Sequence, residues 1–310
     1  MDEEKEKITS FCNKIKKKYR NWHIQLYMSF FFCIFAAELR KMKNIVVIPV
    51  YKQQISEWEE MSLRQCCKVF SNHAICLVTH EGLDCRGYYR IAQEFNIQLL
   101  RENFDAYYFS GIPGYNALMM SKEFYLRFKA YDYMLVYQLD AYVFRDELDY
   151  WCDKGYDYIG APWFFNCDSH EEGVELWKVG NGGLSLRRID THIRVLTRKL
   201  PVLGLKELVR RSAHMSFLKR ACSILAHLLG WHNTMDYFVR TYKDYEDFFW
   251  CEKIPSLALD YKIPSAEEAI AFSFELSPSY LYEQNNKTLP FGCHAWQKYE
   301  DESFWKQYIR

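Results

Sequence analysis

The chain has 310 residues with 40 basic and 40 acidic side chains, so its formal net charge at pH 7 is zero, which argues against bulk nucleic-acid binding. A hydrophobic share of 49% suffices for one large or two small cores, and 18% aromatic residues supply rings that fill cores or wall sugar and base sites. The 11 cysteines are scattered without a CxxC pair; this excludes a clustered Cys/His zinc site and reads as reduced packing thiols of a cytosolic protein.

The chain opens on charges and "KIKKKYR", followed by the apolar run "IQLYMSFFFCIFAAEL". That run is too short and too interrupted for a membrane span, which needs about 20 apolar residues, and no small-residue cleavage site follows it. It is expected to form a core or partner-facing helix in an N-terminal helical extension over residues 1–43, with residues 24–37 touching a membrane as the sharper alternative.

From residue 44 the pattern changes. "NIVVIPVY" is a β-branched run closed by Pro49, as a buried parallel strand requires. "EWEEMSLRQCCKVF" has helical spacing at Trp58, Met61, Leu63 and Cys66. "HAICLVTHEG" predicts a second strand ending near Thr79, "RGYYRIAQEF" a helix and "NIQLLREN" a third strand. "GYNALMMSKEFYLRFKAY" predicts one long helix running into the strand "YMLVYQLDAYVF". Alternating strands and helices make an α/β sheet, in which ligands bind beyond the carboxyl ends of the strands. Asp140 sits near such an end, in the run "LVYQLDAYVF" whose only other polar residue is Gln138, and a buried carboxylate needs a partner or a metal.

Asp157 to Pro162 reads as a short strand and turn, "HEEGVELWK" as an exposed loop, and "VGNGGLSLRR" as a glycine loop before the strand Leu184 to Arg188. The stretch from about 191 to 240 is expected to be a helical insertion interrupted by Pro201 and Gly204. Between Gly180 and His232 the acids are only Asp190 and Glu207, against ten lysines and arginines. A solvated helix pair explains this; contact with anionic lipid, through residues such as Arg210, Arg211, Lys219 and Arg220, is the functional reading.

Four features stand in order: Asp140; the loop of Gly180, Asn181, Gly182 and Gly183; the acidic pair Glu246 and Asp247; and His294 in "PFGCHAW". Glycines let a backbone approach a ligand closely, Asn181 tolerates left-handed geometry, and a carboxylate suits general-base work. Each also has a plain structural explanation: a capped strand end, a β-turn, acids at a helix N-terminus, and a packed histidine.

Together, "YQLDAYVFRDELDYW", "YDYIGAPW", "GNGGLSLR" and "PFGCHAW" resemble the GT-A fold of nucleotide-sugar glycosyltransferases, and more closely a bacterial domain family of predicted glycosyltransferases, over roughly residues 44–299. The resemblance implies an α/β fold, GT-A (Rossmann-like), with a mostly parallel sheet flanked by helices over residues 44–310. It implies transfer of a sugar from a UDP- or GDP-sugar to a glycan or lipid-linked acceptor, metal-assisted and inverting, in cell-surface polysaccharide synthesis. Asp247 is then the base with Glu246 supporting it. Asp140 and His294 hold Mn²⁺ or Mg²⁺, and Asn181, Gly182 and Gly183 floor the donor-sugar pocket. Pro49, Val50 and Tyr51 hold the nucleotide base, and Thr79 and Glu81 read its edge. The family's aspartate motif usually has a second acid two positions on, where this chain has Tyr142. That departure keeps a second reading open, a non-catalytic nucleotide-sugar or carbohydrate binder on a degenerate GT-A scaffold. The expected location is cytoplasmic, peripheral on the inner face of the plasma membrane.

Overall fold

A computed structural model describes residues 42–165, 175–257, 259–298 and 302–309. The expected N-terminal extension and its apolar run 24–37 lie outside the described residues. Eleven strands are described: β1 (Met42–Pro49), β2 (Ala74–Thr79), β3 (Leu100–Asn103), β4 (Tyr131–Tyr137), β5 (Ala141–Val143), β6 (Tyr158–Ile159), β7 (Pro162–Phe164), β8 (Leu176–Val179), β9 (Leu184–Arg188), β10 (Ser273–Phe274) and β11 (Gly292–His294).

The central sheet has the order β3-β2-β1-β4-β9-β6. β1 pairs parallel with β2, and β2 with β3, while β9 runs antiparallel to both β4 and β6. Ile45, Val46, Val47 and Ile48 of β1 are all buried, because both faces of this sheet are covered. Ile45 and Val47 join Met134 and Val136 in one core; Val46 and Ile48 join Leu135 and Tyr137 in the other. This is the mostly parallel, helix-flanked α/β sheet expected of the GT-A fold.

Two departures from the sequence pattern position the site. The long helix expected at 114–131 is two helices, Ile112–Met119 and Lys122–Arg127, because Ser121 caps the second and accepts the Glu123 N–H at 3.1 Å. The strand expected to run through Asp140 stops at Tyr137. Residues 138–140 form a tight turn in which Ala141 N–H donates to the Gln138 carbonyl at 2.9 Å. The chain then re-enters as β5 in a different sheet, β10-β11-β5, with β11 antiparallel to β5. The loop expected at "HEEGVELWK" is also partly a strand, since β8 pairs antiparallel with β7.

The insertion at 191–240 is helical, as Ile189–Leu196, Leu205–Arg211, Phe217–Leu228 and Met235–Thr241, with Pro201 and Gly204 between the first two. Among the described residues no helix is long and apolar enough to cross a membrane.

Candidate active site

Asp140 lies in the turn between the two sheets, and strand register chooses its neighbour. β5 and β11 align Ala141 with His294, and the Ala295 N–H donates to the Asp140 carbonyl at 2.8 Å. Asp140 Oδ1 therefore sits 3.0 Å from His294 Nε2, and the ring's other face, Nδ1, is 3.0 Å from Glu275 Oε1. Lys298 closes the cluster on Asp140 Oδ2. Burial opposes charge on Asp140, but His294 and Lys298 outweigh it and hold the carboxyl well below the usual carboxylate range. Burial would likewise lower His294, but Asp140 and Glu275 raise it to about 9.

The glycine loop joins this cluster to the acidic pair. Asn181 adopts φ 68°, and its side-chain oxygen accepts the Gly183 N–H at 2.9 Å, leaving its buried Nδ2 without a partner among the described residues. A Cβ on Gly183 would overlap the His294 ring, and one on Gly182 would overlap the Glu246 carboxylate. Gly183 also accepts the Gln138 N–H at 2.8 Å, which ties the loop to the Asp140 turn.

The two acids have different surroundings. Glu246 is buried in a two-point ion pair with the fully buried Arg187, at 2.8 and 2.9 Å. Arg187 also reaches the Tyr125 hydroxyl at 3.1 Å and Ser185 Oγ at 3.0 Å. Both Glu246 oxygens are engaged, so Glu246 holds the loop and the arginine rather than a substrate proton. Among the described residues no lysine or arginine forms an ion pair with Asp247. Burial, reinforced by Glu246, pushes its pKa up to about 7 against the Phe248 N–H it accepts at 2.9 Å.

Pro49, Val50, Tyr51 and Asp140 line one cleft of about 480 Å³ at the carboxyl end of β1. Its walls include Lys52, Tyr115, Gln138 and Lys298, none of which the sequence singled out. Five expected donor residues stand apart from this lining: Thr79 is fully buried, Glu81 is exposed and offers its carbonyl to Arg101 at 3.2 Å, and Asn181, Gly182 and Gly183 pack behind the cleft against His294 and Glu246. A second cleft of about 1050 Å³ shares Tyr108 and Ile112 with the first and is walled by Asn116, Asp244 and Tyr245. Asn116 accepts the Glu246 N–H at 3.4 Å, so the acidic pair lies directly behind the Asn116 and Tyr245 wall of this second cleft.

The model of the family described as Protein of unknown function (DUF5672) matches residues 98–294, more than half of the chain. The chain belongs to that family. The DUF5672 match takes in Asp140, the glycine loop and the acidic pair, and it ends on His294. No curated protein matches the sequence. Among solved structures, the chain is similar to the apo form of the glycosyltransferase GlyE of Streptococcus pneumoniae TIGR4, at 13% identity and a TM-score of 0.43, over 86% of this chain and 60% of that one. The chain thus spans less than two thirds of the GlyE chain. It is similar to the galactosyltransferase LgtC, solved with donor and acceptor sugar analogues, at 10% identity and a TM-score of 0.43, over 81% of this chain and 86% of that one. A third is core-mannan synthase A of Aspergillus fumigatus in its Mn/GDP form, at 9% identity and a TM-score of 0.36, over 67% of this chain and 71% of that one.

In this DUF5672 chain the donor set that a divalent cation would need is small. Asp140 Oδ1 and the Gln138 amide oxygen lie 3.0 and 3.4 Å from His294 Nε2, an oxygen, oxygen and nitrogen trio of the types Mn²⁺ accepts. Among the described residues no group of three His, Cys, Asp or Glu side chains gathers for a metal, so most ligands would come from diphosphate and water. The trio fits a cation on that condition, with the cation also displacing the proton that Asp140 and Glu275 hold on His294. The second polar position is Gln138, two residues before Asp140, and not Tyr142. Tyr142 is buried against Phe144 and Trp296, with ring centroids 5.4 and 6.2 Å away. Period-two alternation could have flagged Gln138, since it shares a face with Asp140 in any extended register.

Proposed function

We propose that the protein is a glycosyltransferase that moves a sugar from a nucleotide-diphosphate donor to an acceptor hydroxyl. The observation that carries the reading is one packed cluster beside two adjoining clefts: an Asp–His pair, a glycine loop seated on that histidine and on Glu246, and a carboxylate whose pKa lies near neutrality. The donor occupies the cleft of about 480 Å³. Tyr51, 62% exposed at its wall, offers a face for a uracil or guanine ring. Lys298 and Lys52 supply positive charge for the diphosphate. Asp140 and His294, with the Gln138 oxygen beside them, would hold Mn²⁺ or Mg²⁺, which neutralises the departing diphosphate as a Lewis acid.

Asp247 acts as the general base. The acceptor hydroxyl gives its proton to the Asp247 carboxylate while its oxygen bonds to the anomeric carbon. The bond from that carbon to the diphosphate oxygen breaks, and its electron pair leaves with the nucleotide, inverting the centre. The larger cleft beside the acidic pair takes the acceptor, a glycan or a lipid-linked sugar of a cell-surface polysaccharide. Its rings Tyr107, Tyr108 and Tyr245 offer stacking faces for sugars.

The test is nucleotide release from UDP- and GDP-sugars in the presence of Mn²⁺. Asp247→Asn is expected to lower release about 100-fold or more, and Asp140→Ala to weaken nucleotide binding. Release that survives Asp247→Asn removes the base assignment. Tight binding of a nucleotide sugar with no turnover across a panel of acceptors would favour the non-catalytic binder.

A further inference from the structure

The helix Phe217–Leu228 has no buried residue along its 12 positions. Leu218, Cys222, Leu225 and Leu229 recur at intervals of four, three and four, so they form one apolar stripe. Leu218 is 75%, Leu225 60% and Leu229 80% exposed, and Phe217 at the start of the helix is 85% exposed. A soluble surface rarely carries so many large apolar side chains together without a partner for them.

Charge says what the partner is. Between residues 198 and 232 the chain has seven lysines and arginines and one acid, in a protein whose total charge is zero. That acid, Glu207, is already engaged by Arg210 and Arg211 at 2.6 to 2.8 Å. Lys219 and Arg220 flank the stripe and make no ion pair among the described residues, Arg220 donating only to the Val209 carbonyl at 3.0 Å. An apolar helical stripe flanked by cations has the composition of a helix that lies in the interface of an anionic bilayer.

We propose that the helix Phe217–Leu228 docks the protein on an anionic lipid surface, its apolar stripe in the acyl boundary and its flanking cations on lipid phosphates. This sharpens the expectation drawn from the basic stretch, because the apolar stripe, rather than the arginines alone, supplies the anchoring area. Docking does not depend on the transferase reading, and no residue named for it belongs to either cleft proposed for donor or acceptor.

The experiment is flotation of the full chain with phosphatidylcholine vesicles, with and without phosphatidylglycerol. Binding is expected only to the vesicles containing phosphatidylglycerol, and it should weaken as salt rises. Lys219→Gln with Arg220→Gln, which keeps a donor for the Val209 carbonyl, should lower affinity about thirtyfold for the pair. Leu218→Ser with Leu225→Ser and Leu229→Ser should abolish flotation with little change in melting temperature, because those side chains are mostly exposed. Leu225→Trp should instead tighten it. Equal binding to neutral vesicles, or undiminished flotation of the triple variant, overturns the proposal; in the latter case another part of the chain holds the lipid. Loss of a dimer on sedimentation of the triple variant, with no flotation of the parent, also overturns it and makes the stripe an interface between copies. Nucleotide release measured in parallel should be the same in all these variants, which separates failure of docking from failure of the enzyme.

Discussion

Adjacent carboxylates at 246 and 247 answer to opposite electrostatics. Glu246→Gln would strand the buried Arg187 guanidinium, and losing one partner of such a pair costs ~3–5 kcal/mol, measurable by denaturant unfolding. Asp247→Asn should do the reverse. The folded pKa of Asp247, about 7, lies above the ordinary carboxylate value, so protonation favours the folded state. That benefit is complete below about pH 4 and is lost as pH rises through 7. The asparagine variant is therefore expected to be more stable than the parent at pH 8, with the gap closing toward pH 4, as thermal melts across that range would show. The same pKa sets the rate: nucleotide release should be half-maximal near pH 7 and fall about tenfold per unit below it. The sequence pattern named both acids but could not divide their work, because Arg187 lies 59 positions from Glu246 and only the fold brings them together.

At the scale of elements, the turn 138–140 and the glycine loop depend on each other. Gly183 has a His294 ring where a Cβ would stand. Gly183→Ala should force the imidazole away from Asp140 and destabilise the chain by ~1–3 kcal/mol, as overpacking does. Nucleotide affinity should fall with it in a titration of the folded protein. If affinity is unchanged, the Asp140–His294 pair is not part of the donor site. The four motifs were legible because glycines, acids and a lone histidine stand out against apolar strands. The two helices at 112–127 and the end of β4 at Tyr137 were not. A serine cap and a change of sheet leave almost no mark on hydrophobic periodicity, since Tyr133 to Val143 is apolar through both sheets except at Gln138 and Asp140.

Over the whole molecule, the sheet separates two cores, and β1 feeds both. Ile45→Ala and Ile48→Ala remove side chains from opposite faces, yet each should cost ~2–5 kcal/mol in equilibrium unfolding. A strand with one wet face would show a large effect at only one of them. This burial on both sides was readable in advance, because the run "IVVI" contains no polar alternation.

The sequence alone determined the α/β class, the place of Asp140 beyond the carboxyl end of a central strand, the helices between 191 and 240 and the order of the motifs, because each follows from local patterns of apolar, glycine and charged residues. Tertiary structure decided which side chains meet. It set His294 against Asp140 through β5–β11 register, gave Glu246 to Arg187, brought in Gln138 and Lys298, and took Thr79 and Glu81 out of the cleft. It also showed that the basic insertion carries an uncovered apolar stripe. Contacts between residues more than 100 positions apart depend on strand register and chain crossings, which no local pattern encodes.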